Sequence, residues 1–114
     1  MASEEIQENN ESTESAEDIL KEEVKRYLDI TWSDEDTNKS VDEYISTAKQ
    51  YLNETTGSEI DFDEDLTARS LLKDHCRYQR NRDIEFFENN FLKSLTALRF
   101  KYAIKEEKNE TEDE

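Results

Sequence analysis

Apolar residues recur along this chain at intervals of three and four, the spacing of amphipathic helices. The stretch from Leu71 to Tyr102 is the densest and holds the single His and the single Cys. It reads as two helices joined by a very short turn at Asn81-Arg82-Asp83, a helical hairpin over residues 64–104. At about 100° per residue, Ile84, Phe87, Phe91, Leu95, Leu98 and Tyr102 fall within roughly an 80° arc, which predicts a core-facing stripe. Phe86 and Phe100 fall outside it, Phe100 almost opposite. A large aromatic on the outer face is a candidate contact for a partner, with local packing as the plainer alternative.

The remaining elements follow the same rule. A first helix is predicted over Glu17 to Asp29, with Leu20, Val24, Tyr27 and Leu28 on one face and Glu17 and Asp18 at its positive end. Trp32 is expected as a lid in the core between helices one and two. The second helix has two possible starts, Ser33 and Ser40; Ser33 is preferred because Asp34, Glu35 and Asp36 suit a first turn. Val41, Ile45, Ala48 and Leu52 form its inner face, flanked by Tyr44 and Tyr51, and Gly57 is its predicted left-handed stop. Ser58 to Asp63 is a linker. The third helix, about Glu64 to Arg82, buries Ala68, Leu71, Leu72, His75, Cys76 and Tyr78. Its opposite side carries Arg69, Lys73, Arg77 and Arg80 within about 80°. This basic stripe reads either as an ordinary solvated face or as a docking stripe for an acidic surface. The fold class is therefore all-α, a small bundle of about four helices, with Leu28, Trp32, Ile45, Leu52, Leu72, Phe87, Phe91, Leu95 and Leu98 in the expected core.

Charge divides the chain further. The formal net charge of its 114 residues is −16; residues 1–18 carry −7 and residues 105–114 carry −4. Ends this acidic bury too little apolar surface to offset the entropy of ordering. The expected organisation is a disordered acidic tail over 1–16, a helical domain over 17–104 and an acidic C-terminal tail over 105–114. No Pro and one Gly argue against a turn-rich β fold, and one Cys excludes an internal disulfide. No apolar run approaches the ~18 residues of a membrane span, and Met1 to Ser15 lacks a signal-peptide pattern, so a soluble intracellular protein is expected.

No catalytic set emerges. His75 and Cys76 are neighbours about 100° apart on a helix, which is wrong for a nucleophile pair. There is no second His for a usual zinc site and no Gly-rich phosphate loop. Asp61, Asp63 and Asp65 alternate as in a calcium loop, but the positions needing Gly and Glu hold Leu66 and Leu72. Neither enzyme activity, nor a metal, nor a cofactor is expected.

In order, VKRYLDI (Val24 to Ile30), WSDED (Trp32 to Asp36), AKQYLNETTG (Ala48 to Gly57), LLKDHCRYQRNR (Leu71 to Arg82) and the F-x-x-N-F segment (Phe87 to Phe91) resemble the head–tail connector, or adaptor, proteins of tailed bacteriophages. The resemblance covers about Glu17 to Tyr102. It implies a small helical virion protein that docks beneath the portal protein after DNA packaging, as a ring of about a dozen copies. It further implies a downstream stopper or tail-completion protein as partner and a lumen through which DNA passes without specific binding. The location implied is the head–tail interface of the virion, and host cytoplasm during assembly. In the family the C-terminal helix commonly reaches the portal, which here means Leu98 to Ile104 and beyond. The candidate subunit or portal interface is Arg69, Lys73, Arg77, Arg80, Phe86, Phe100, Lys101 and Tyr102. The basic stripe would meet acids around Asp61 to Asp65, or on helix two, of a neighbouring copy. Free copies are expected to stay separate until a template orders them. The alternative class is an acidic helical interaction module or DNA-mimicking decoy that binds a host protein.

Overall fold

In the computed structural model the described residues are 14–113, with side chains through Lys108. All regular structure among them is helical: α1 (Ala16–Tyr27), α2 (Glu35–Thr56), α3 (Leu66–Arg80), a 3₁₀ turn (Ile84–Phe86), α4 (Phe87–Asn90) and α5 (Leu92–Asp113). The predicted all-α class is what forms. Most of the predicted N-terminal tail lies outside the described residues, but Ser15 and Ala16 do not belong to a tail. The Ser15 hydroxyl accepts the Asp18 amide and caps α1.

Local chemistry accounts for the helix ends. Asp34, not Ser33, caps α2 by accepting the Thr37 amide at 2.8 Å, while the Ser33 hydroxyl accepts from Asn38. Gly57 closes α2 at φ 69°, as its position predicts. Asp65 caps α3 by accepting the Ala68 amide at 3.0 Å. Asp29 (φ 61°) and Arg82 (φ 62°) take the left-handed conformation where α1 and α3 hand over to their loops.

Cross-helix bonds fix the topology. Lys21 meets Asp42 and Lys25 meets Asn38, so α1 runs antiparallel to α2. Gln79 donates to the Tyr44 carbonyl, so α3 is antiparallel to α2 as well and parallel to α1. α5 returns antiparallel to α3, tied at one end by Asn90 to Tyr78 and at the other by Tyr102 to Asp65, yet the helix it packs along is α2. The body is a slab, with extents of 52 × 42 × 16 Å.

The core joins Leu20, Val24, Leu28 and Ile30 to Val41, Ile45, Ala48 and Leu52, to Ala68, Leu71, Leu72 and Cys76, and to Phe87, Leu95, Leu98 and Tyr102. The linker contributes Ile60 and Phe62, both buried. Three expectations need correction. Trp32 is 48% exposed and not a core lid; its indole N–H donates to Thr37 and Arg80 lies over its ring, which holds it at the surface, while Ile30 takes the buried place in this loop. The segment from Ile84 is not one helix. It opens as a 3₁₀ turn, breaks again at Phe91, and leaves Ile84 exposed and Phe91 only partly buried. Finally, α5 does not stop at Ile104 but continues through Asp113.

Candidate interaction surface

The basic stripe of α3 lies along α1: Arg69 is buried, Lys73 and Arg80 are partly covered, and Arg77 remains exposed. Arg69 is 9% exposed. Its Nε and Nη2 donate to the two carboxylate oxygens of Glu23 at 3.0 and 2.9 Å, and its Nη1 donates to the Phe62 carbonyl and to Asp63. Lys73 reaches the same Glu23 at 2.9 Å. Hydrogen bonds from Arg69 and then Lys73 hold the Glu23 carboxyl down at about 2. Arg77 lies over the Tyr27 ring and pairs with Asp74, which also accepts from the Tyr27 hydroxyl. Arg80 lies over Trp32 and donates to the Leu28 carbonyl. The four cations clamp α1 and its following turn onto α3. Arg69 and Lys73 are spent within the chain and do not form a docking stripe.

The acids proposed to meet that stripe are also engaged internally. Asp61 accepts the Asp63 amide, Asp63 pairs with Arg69, and Asp65 takes Lys101 and the Tyr102 hydroxyl besides capping α3. Burial works to raise the Asp65 pKa, but bonds from Tyr102, the Ala68 amide and Lys101 outweigh it and hold the group below its ordinary value. Burial and the Asp65 bond together push the Tyr102 hydroxyl up to about 12. Tyr102 is thus a buried strut, 7% exposed, and not an interface residue; Lys101 is its ion-paired neighbour.

His75 and Cys76 pack as core groups. His75 sits 4.8 Å from the Tyr51 ring and 4.8 Å from the Phe87 ring, and burial lowers its pKa to about 4. The Gln79 amide nitrogen can only donate, so His75 Nδ1 accepts at 2.9 Å and the neutral ring carries its proton on Nε2. Burial pushes the Cys76 thiol up to about 12, which makes it inert. Among the described residues no group of His, Cys, Asp and Glu is arranged to hold a metal ion, and no helix is long and apolar enough to cross a membrane.

Of the predicted contact residues Arg77, Phe86, Phe100 and Lys101 are exposed, and the two aromatics among them are unpartnered by any charge. Phe86 is 55% exposed and Phe100 67%. The structure adds Leu92, and it exposes Ile104, which the resemblance placed in the segment that reaches the portal, and Ile84, which the periodicity placed on the core-facing stripe. On α5, Leu92, Thr96, Phe100 and Ile104 climb one i, i+4 row, with Lys93, Ala97 and Ala103 beside it, and all seven are exposed. Leu95, Leu98 and Tyr102 are buried on the other side. α5 is therefore apolar on two opposite faces, only one of which this chain covers. The row is legible on a helical wheel of residues 92–104, on the side away from the face that Leu95, Leu98 and Tyr102 share.

These features define a thin helical domain whose last helix presents an uncovered apolar face, with no catalytic constellation among the described residues. No protein family, curated protein or solved structure matches the chain.

Proposed function

We propose that the chain is a structural adaptor of a tailed-phage virion, which docks as a ring on the portal protein and extends the DNA tunnel toward the tail. The observation that carries this reading is the outer face of α5. The final helix is anchored on one side by Leu95, Leu98 and Tyr102 and offers Phe100, 67% exposed, and Ile104 on the other. An apolar row on a firmly held helix is a surface that gains free energy when another protein covers it. The order of segments from Val24 to Phe91 supplies the resemblance, and the C-terminal placement of the open row agrees with the part that reaches the portal in that family. Phe86 and Leu92, both exposed, extend the candidate contact, and Arg77 lines a surface cleft with Phe86, while Arg80 lies against Trp32 and Leu28.

Size exclusion with light scattering tests this, using the protein mixed with the portal protein of its phage. Co-elution as a large ring supports the adaptor, and Phe100→Glu is expected to abolish it with the fold intact. No association across a range of salt defeats the reading and favours an acidic module that binds another protein.

A further inference from the structure

The open row of α5 has a counterpart elsewhere on the same chain. Two adjoining clefts run along α2 beside the start of α1 and share Glu17, Leu20 and Lys49 in their walls. One reaches Asp42 and Ile45, the other Asn53 and the linker. Leu20, Ile45, Ile60 and Phe62 belong to the core and give the pair an apolar floor. Glu17, Asp18, Asp42, Glu59, Asp61 and Asp63 stand along the walls, all exposed. Against them are two lysines, Lys49 and Lys21, and Lys21 is already held by Asp42. The side chains of Glu17, Asp18 and Glu59 have no partner among the described residues.

The outer face of α5 has the opposite charge and a matching length. Residues 92–105 carry Lys93, Arg99, Lys101 and Lys105 and no acid, and all four bases are exposed. Lys93 lies about 20° from Phe100 around the helix and has no partner among the described residues. Arg99 and Lys101 stand about 100° to either side of Phe100. Their contacts with the Thr55 carbonyl and with Asp65 leave both exposed. The row from Leu92 to Ile104 is about 18 Å long, and the clefts follow α2 from Asp42 to Asn53, about 16 Å. An apolar row with a basic border thus matches an apolar floor with an acidic border. Within one chain the two cannot meet, because Leu95, Leu98 and Tyr102 hold α5 with the row turned outward.

We propose that free copies of this chain associate head to tail, with the Phe100 row of one seated in the cleft between Glu17 and Glu59 of the next. This replaces the expectation of separate free copies. The two surfaces differ, so each contact leaves a row open at one end and a cleft at the other, and the assembly extends or closes on itself. Two chains of net charge −16 repel each other, but at 0.15 M salt that repulsion is screened beyond about 8 Å, while the charges of row and cleft meet at closer range. The proposal does not rest on the adaptor reading. A portal would take the same row, so in that setting the two occupants compete for it.

Sedimentation of the full-length protein alone, over about 1–300 μM at about 0.15 M salt, tests the proposal. The mean mass of the wild type is expected to rise with concentration. Phe100→Glu removes the row, and Glu17→Lys with Glu59→Lys removes the cleft. Each variant alone should stay monomeric with the circular dichroism of the wild type, because all three side chains are exposed. Ile104→Glu, also exposed, repeats the test of the row. Mixed in equal amounts, the row variant and the cleft variant should form a heterodimer of one chain each and stop there, since one good row then meets one good cleft. A wild-type monomer at every concentration overturns the inference. So does self-association of either variant, or a mixture that stays monomeric or grows past two chains. Portal binding by a wild type that is monomeric alone overturns the head-to-tail contact and leaves the adaptor standing; association without portal binding does the reverse.

Discussion

Arg69 holds Glu23 by two parallel hydrogen bonds, 3.0 and 2.9 Å, across the α1–α3 contact. The fork also carries the Phe62 carbonyl and Asp63, so one side chain joins three segments of the fold. Replacing Arg69 with Met would leave the half-buried Glu23 carboxylate to Lys73 alone and the Phe62 carbonyl without its side-chain donor. The expected loss is about 2 kcal/mol, between the values for exposed and fully buried pairs. Arg69→Lys should recover only part of it, since an ammonium cannot span both carboxylate oxygens. Urea unfolding measures both, and a loss under about 0.5 kcal/mol for Arg69→Met would mean the clamp is ornamental.

Acid should unfold this protein in two stages. The His75 pKa is depressed to about 4 from 6.5, so the unfolded chain binds the proton first and stability falls as pH drops from 6.5 toward 4. The bond from Gln79 adds to the effect, because protonating Nδ1 destroys its acceptor. Glu23, depressed from 4.5 to about 2, contributes stability that is present above pH 4.5 and lost as pH falls through that lower window. His75→Phe is expected to remove the upper stage and keep the lower. Equal slopes of stability against pH in wild type and variant between pH 6.5 and 4 would contradict this.

Backbone conformation gives a paired test. A Cβ at Gly57 meets nothing within 4 Å, so Gly57→Ala carries only the strain of φ 69° and should cost about 1 kcal/mol. Arg82 holds φ 62° with a full side chain, so Arg82→Gly should stabilise, by up to about 1 kcal/mol. Opposite shifts in melting temperature are the expected result.

Trp32 and Cys76 report on exposure from opposite ends. Trp32 is 48% exposed, so iodide should quench its fluorescence in the native protein, and Trp32→Ala should cost far less than the roughly 3–5 kcal/mol of a core aromatic. Cys76 has no exposed surface, and burial holds its thiol protonated, so a thiol reagent should react only on unfolding. Rapid native labelling of Cys76 would contradict the core arrangement.

Periodicity by itself determined the helices and most of the core. Val41, Ile45, Ala48 and Leu52, then Leu71, Leu72 and Cys76, are buried because three- and four-residue spacing leaves them only one common face. Gly57 stops α2 because no other residue there accepts a positive φ without strain. What the spacing could not specify is which neighbour each face meets. The cations of α3 form a stripe on any wheel; only the packing of α1 beside them decides that they clamp Glu23 and Leu28 rather than face solvent. Trp32, expected in the core, lies half exposed for the same reason, since burial depends on the helix lying opposite and not on the residue's own apolarity, whereas Tyr102 is buried as its place on the core-facing stripe predicts. The second face of α5 was in the sequence throughout, but it became a surface only once Leu95, Leu98 and Tyr102 had committed the first face to the core.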